Sequence, residues 1–136
     1  MSTEPIVLYI EDDARNRRVM HMLLVNSMKL AHVSIFEDST DFLARASQLS
    51  PKPTLILLDI HVLPYDGFAM LKTFRESGLF DAAKMVALTA SVMNEEVSQL
   101  REAGFDGCLA KPIDSDTFPD LVARIMSGEE VWHIIG

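Results

Sequence analysis

Five short apolar runs recur along this chain, at residues 6–10, 33–36, 55–58, 85–88 and 108–110. Each is continuous rather than alternating. An alternating strand faces water on one side, whereas a continuous run suits a strand covered on both faces, as in a parallel sheet. The second run is the weakest and reads as an edge strand. Helical spacing fills the gaps. It is carried by Val19, Met20, Leu23, Leu24 and Met28, then by Phe42, Leu43, Ala46 and Leu49, and then by Phe68, Leu71 and Phe74. Val97, Leu100 and Ala103 mark a fourth helix, and Phe118, Leu121, Val122, Ile125 and Met126 a fifth. Gly78, Gly104 and Gly128 stand where the last three helices should stop. Pro119 is tolerated in a first turn and leaves room for the fifth helix to begin later than its apolar pattern. Five strand–helix units in strict alternation predict an open α/β fold with crossover helices on both faces.

Composition bounds the function. A chain of 136 residues is one domain's worth, and 49% hydrophobic with 24% charged residues is ordinary for a globular protein. The net charge of −8 argues against nonspecific nucleic-acid binding, which needs a cationic surface. No apolar run approaches a membrane span, and the N-terminus does not read as a signal peptide. The single cysteine, Cys108, cannot form an intramolecular disulfide, so a reducing, cytoplasmic setting is expected. Residues 1–128 read as one domain and 129–136 as a short tail with no output domain.

Ligands of open α/β sheets bind beyond the carboxyl ends of the strands. The residues that follow the apolar runs are therefore the informative ones. They are Glu11-Asp12-Asp13, Asp59, Thr89 and Lys111-Pro112. One polar strand end is commonplace, but four ends bringing acids, a hydroxyl and an amine to one rim are not. Close carboxylates repel, and a hard divalent cation relieves them. Metal, ammonium and hydroxyl together suit the oxygens of a phosphoryl group. A carboxylate can accept that group as an acyl phosphate. Asp59, alone at the end of the most apolar strand, is the best nucleophile, while residues 11–13 are grouped as a metal site requires.

The motifs VLYIEDD, DIHVLPYDG, LTAS and AKPI, in that order and spacing, resemble the receiver domain of two-component response regulators over residues 5–127. The resemblance implies a flavodoxin-like (βα)5 three-layer sandwich with a five-stranded parallel sheet of order 2-1-3-4-5. It implies that Asp59 takes a phosphoryl group from a histidine kinase or histidine phosphotransfer protein, in a step that depends on magnesium or, in its place, manganese. Glu11 and Asp12 would be the acidic pair of the metal site, with Asp12 the direct ligand. Asp59 and the backbone carbonyl of His61 would complete the protein ligands. Thr89 and Lys111 would hold phosphoryl oxygens, with Thr89 moving on phosphorylation. The signal would pass to a downstream protein by contact, from a monomer or weak homodimer, with no nucleic acid or membrane as partner. Such a domain takes part in its own phosphorylation and dephosphorylation but is not a turnover enzyme. An aspartyl phosphatase would carry a second aspartate two residues after the nucleophile, where this chain has His61.

Two departures stand out. The family's proline four residues after the acceptor is replaced by Leu63, with Pro64 next, which predicts an altered loop around an intact site. Cys108 occupies the place of the family's switching Tyr or Phe. A thiol cannot swing inward as a ring does, so a muted response is expected around Cys108. A degenerate receiver, serving only as an interaction module, is the alternative. His61 and Ser91 each keep two readings, a tuner of water at the site or a solvated loop residue. His21 reads as a helix-surface residue, and Arg15, Arg17 and Arg18 as a solvated face or a docking patch. The eight methionines and Cys108 read as core filling. The apolar tail from Trp132 to Ile135 is expected to extend the last helix onto the domain, with a partner surface as the alternative.

Overall fold

The computed structural model describes residues 4–90 and 94–133, apart from the side chains of Asn94 and His133. The elements in chain order begin with β1 (Val7–Ile10), α1 (Ala14–His21), β2 (Val33–Phe36), α2 (Phe42–Ser47) and β3 (Leu55–Asp59). They continue with α3 (Gly67–Ser77), β4 (Lys84–Thr89), α4 (Asn94–Ala103), β5 (Gly107–Ala110), α5 (Phe118–Met126) and β6 (Val131–His133). A π-helical segment, Met22–Ser27, prolongs α1. All strands join one parallel sheet of order β2-β1-β3-β4-β5-β6.

The continuous apolar runs are the strands, because each presents side chains to both layers of helix. Leu8, Ile10, Ile56, Leu58, Met85 and Ala87 point to one face and pack with Phe42, Met70, Phe74 and Leu100 of α2, α3 and α4. Val7, Tyr9, Leu55, Leu57, Val86 and Leu88 point to the other and pack with Met20, Leu24, Phe118 and Ile125 from α1, its π-helical extension and α5. The central β3 is buried throughout, and β2 is the half-buried edge strand that its weak pattern predicts.

Local signals set the helix ends. Asp13 and Asp66 cap α1 and α3 by accepting from backbone N–H groups one turn inside. Gly78 ends α3 with φ of 70°, a left-handed turn that glycine adopts without a side-chain clash. The fifth helix does not start late. It begins at Phe118 and carries Pro119 in its first turn, where a missing N–H costs nothing. Val19 also departs from its pattern: it is 54% exposed beside exposed Met22, while Met20, Leu23 and Leu24 form the buried face.

The tail overturns its expectation. Residues 131–133 do not lengthen α5. They turn back as β6 and pair with β5, Gly107 opposite Val131 and Cys108 opposite Trp132. The five-strand order 2-1-3-4-5 is preserved, with a sixth strand added beside β5. Ile134 and Ile135 lie outside the described residues. Among the described residues no helix is long and apolar enough to cross a membrane.

Candidate functional site

Parallel pairing in register brings the carboxyl ends of β1, β3, β4 and β5 to one rim. Glu11, Asp59, Thr89 and Lys111 meet there as their places after the apolar runs predict. Glu11, Asp59 and Thr89 are nearly inaccessible, at 1%, 4% and 2% exposure. Lys111 Nζ reaches both carboxylates, 2.8 Å from Glu11 Oε1 and 3.1 Å from Asp59 Oδ1. Asp12 is exposed beside them, and one carboxylate oxygen from each of Glu11, Asp12 and Asp59 falls within 4.8 Å of the others. Asp13 does not join the group, because its carboxylate is occupied as the cap of α1.

Two buried carboxylates, Glu11 and Asp59, face one ammonium, and that imbalance governs how these three groups titrate. Burial, reinforced by neighbouring Glu11, pushes Asp59 up to about 6, against the pull of Lys111. Burial also pushes Glu11 up, but hydrogen bonds with Asp59, Lys111 and Tyr9 outweigh it and hold Glu11 below the usual carboxylate range. Lys111 is raised, because the two acids outweigh the burial that would discharge it. Glu11 is thus the fixed anion and Asp59 the adjustable one. The donor set is entirely oxygen and its net charge is negative. It therefore fits a hard divalent cation, which typically uses one or two carboxylates and keeps several waters.

Supports around Glu11 could not be read from the sequence. Tyr9, counted among apolar residues, donates its hydroxyl to Glu11 Oε1 at 2.8 Å. Asn16 Nδ2 donates to the same oxygen at 3.3 Å, and the Asp13 N–H to Oε2 at 3.2 Å. Arg17 leaves the basic cluster to donate to the Glu11 carbonyl at 3.0 Å, whereas Arg15 and Arg18 stay exposed. The His61 N–H donates to Asp59 Oδ1 at 3.3 Å, and the exposed His61 lines a groove with Thr89, Phe68, Gln99 and Leu100. The Thr89 carbonyl accepts from the Lys111 N–H at 2.8 Å, which fixes the two strand ends together.

The loop with Leu63 and Pro64 is tied down by Ser39. Buried Ser39 accepts from the Tyr65 N–H at 2.7 Å and donates to the Tyr65 carbonyl at 2.8 Å, and its own N–H donates to the Leu63 carbonyl. Leu63 itself is 70% exposed. His21 is exposed at the end of α1, and Ser91 lies outside the described residues. Cys108 is 1% exposed, and burial, followed by the charge of Glu96, lifts its thiol to about 11. It is a packed, inert thiol at neutral pH.

The family model of the response regulator receiver domain matches residues 7–123. The "Nitrate/nitrite response regulator protein homolog" of Haemophilus influenzae is 30% identical over 92% of this chain and 58% of its own length. The "Signal transduction histidine-protein kinase BarA" of Escherichia coli K12 is 26% identical over 92% of this chain but only 13% of its own. The chain thus spans little more than half of the first relative and a small part of the second. The structure of the chemotaxis response regulator CheY4 of Vibrio cholerae superposes with a TM-score of 0.79 at 22% identity, covering 90% of this chain and 99% of that one. The alternating parallel sheet, the acidic rim with its lysine and the family match agree: the chain belongs to the receiver domains of two-component response regulators, flavodoxin-like signalling modules phosphorylated on aspartate by histidine kinases.

Proposed function

We propose that Asp59 is the phosphoacceptor of this receiver. The observation that carries the reading is the Lys111 bridge, with Nζ 3.1 Å from Asp59 and 2.8 Å from Glu11. Asp12 and Asp59, with Glu11 behind them and the His61 carbonyl beside them, would hold Mg²⁺ or Mn²⁺. The cation supplies charge neutralisation at the phosphoryl oxygens. A carboxylate oxygen of Asp59 attacks phosphorus while the bond from phosphorus to the donor's leaving atom breaks, and the leaving group departs with that electron pair. Lys111 offsets charge on the phosphoryl oxygens, and Thr89 donates its hydroxyl to one of them. Buried Glu11 keeps Lys111 charged and in place. The phosphorylated surface is then read by a protein partner, in the cytoplasm, where the buried free thiol of Cys108 is at home.

The test uses a histidine kinase or phosphotransfer protein as donor, and acetyl phosphate as a small-molecule substitute, each with Mg²⁺. Intact mass should rise by one phosphoryl group. The adduct should be labile to base, absent in Asp59→Asn and absent when the metal is chelated. An equal gain in Asp59→Asn would place the acceptor elsewhere.

A further inference from the structure

We infer that β6 reads out the state of the Asp59 site: Trp132, held between Cys108 of β5 and Arg101 of α4, changes its surroundings when Asp59 is phosphorylated. The inference rests on the phosphoacceptor reading above and adds the route by which the rest of the domain senses it.

Three observations show that β6 is built into the fold. A Cβ at Gly107 would stand 2.7 Å from the Val131 carbonyl oxygen, so the close pairing of β5 and β6 needs glycine there. Val131 is 3% exposed and joins the α1–α5 side of the core. Trp132 points to the opposite face. It packs against the cluster containing Leu100, Phe105 and Cys108, and the Arg101 guanidinium lies 4.8 Å from its ring centroid. Residues level with each other on parallel neighbours project to the same face, so the small Cys108 leaves room for an indole that a ring at 108 would contest.

The route runs through α4. It borders the groove that contains Thr89 and His61, by way of exposed Gln99 and buried Leu100. Arg101 is the next residue, on the ring of Trp132. If Thr89 is drawn toward a phosphoryl oxygen, the groove narrows and α4 follows as one rigid helix, so Arg101 shifts over the indole. The indole itself is poised to respond. Its Nε1 is buried and is the one buried side-chain polar atom without a hydrogen-bond partner among the described residues. A buried donor without an acceptor is costly, so the pose is held by packing, the Arg101 cation and strand pairing rather than by a hydrogen bond from the indole. A three-residue strand is a small unit to release. The aromatic group missing at position 108 thus stands one strand over, and the muted response expected around Cys108 gives way to a response at Trp132.

Trp132 is the chain's only tryptophan, so its emission reports β6 without labelling. The full chain is treated with acetyl phosphate and Mg²⁺, and loading is read by intact mass. Phosphorylation should shift the emission to longer wavelength as water reaches the ring, and backbone amides of residues 131–133 should exchange roughly tenfold faster. Asp59→Asn should show neither change. Arg101→Ala, an exposed change, should load fully yet lose at least about half of the emission shift, since the cation is the α4 group stacked on the ring itself. Full loading with unchanged emission and exchange overturns the inference and leaves the phosphoacceptor reading intact. An undiminished response in Arg101→Ala, or a response in Asp59→Asn, overturns the route. Failure of wild-type loading overturns both readings.

Discussion

Glu11 is a buried carboxylate that remains ionised because four donors converge on its two oxygens: Lys111, Tyr9, Asn16 and the Asp13 N–H. Tyr9 is the informative one to remove. Its ring is core and its hydroxyl is site, so Tyr9→Phe keeps the packing and deletes one donor. Losing a hydrogen bond to a buried charge should cost about 1.5–3 kcal/mol of stability at neutral pH. The sign of the pH dependence follows from Glu11, whose folded pKa is lowered. The stability it contributes is present above its unfolded pKa and lost as pH falls through the folded one. The penalty of Tyr9→Phe should therefore shrink under acid conditions that protonate Glu11 in both states. Urea denaturation at neutral and acid pH measures this, and a pH-independent penalty would mean that the hydroxyl supports the core rather than the carboxylate.

Among the elements, β6 docks through a contact that depends on a single missing atom. Gly107→Ala puts a methyl group against the Val131 carbonyl at 2.7 Å, and backbone cannot yield as a flexible side-chain tip can. The expected outcome is a loss of about 1–3 kcal/mol, typical of overpacking. Hydrogen exchange should show fast amides in residues 131–133 while β1, β3 and β4 stay protected. Uniform loosening of the sheet would show instead that β6 is part of the cooperative core. The same strand marks the limit of what the sequence discloses. The five main strands were legible because each is a continuous apolar run flanked by turn residues. The rim was legible because parallel register carries the residue after each run to one end of the sheet, which puts Glu11, Asp59, Thr89 and Lys111 at neighbouring strand ends. A three-residue strand has no period to read, so the apolar stretch from Trp132 reads as an extension of the last helix, although Val131–His133 is a strand. Tyr9 hid in an apolar run because its hydroxyl role depends on a residue two places on, at the strand's end. Ser39 gave no signal as the anchor of the Tyr65 loop, since its partners are backbone atoms far along the chain.

Across the whole molecule the charge is −8, and at Asp59 it works against folding. Asp59 is raised from 3.8 to about 6, so the folded state favours its protonated form. Stability from this group is fully present below the unfolded pKa and is lost as pH rises through the folded one. A shift of about two units makes the penalty at neutral pH on the order of 2–3 kcal/mol in metal-free protein. A divalent cation that binds the ionised carboxylates offsets it, and the two effects are linked through one proton. At a free metal concentration of about a hundred times Kd, binding to the folded state alone adds about 2.7 kcal/mol. For a domain of this size that is a rise in Tm of roughly 8 °C. The rise should therefore be full at about pH 8 and about half as large at about pH 5, where the cation must first displace the Asp59 proton. Asp59→Asn should melt higher than wild type at the alkaline pH without metal, and should gain little when Mg²⁺ is added. Differential scanning fluorimetry with NaCl at matched ionic strength separates specific binding from screening of surface charge. A Tm rise that NaCl reproduces, or that is equal at both pH values, would place the cation on the general acidic surface rather than at the rim of Glu11, Asp12 and Asp59.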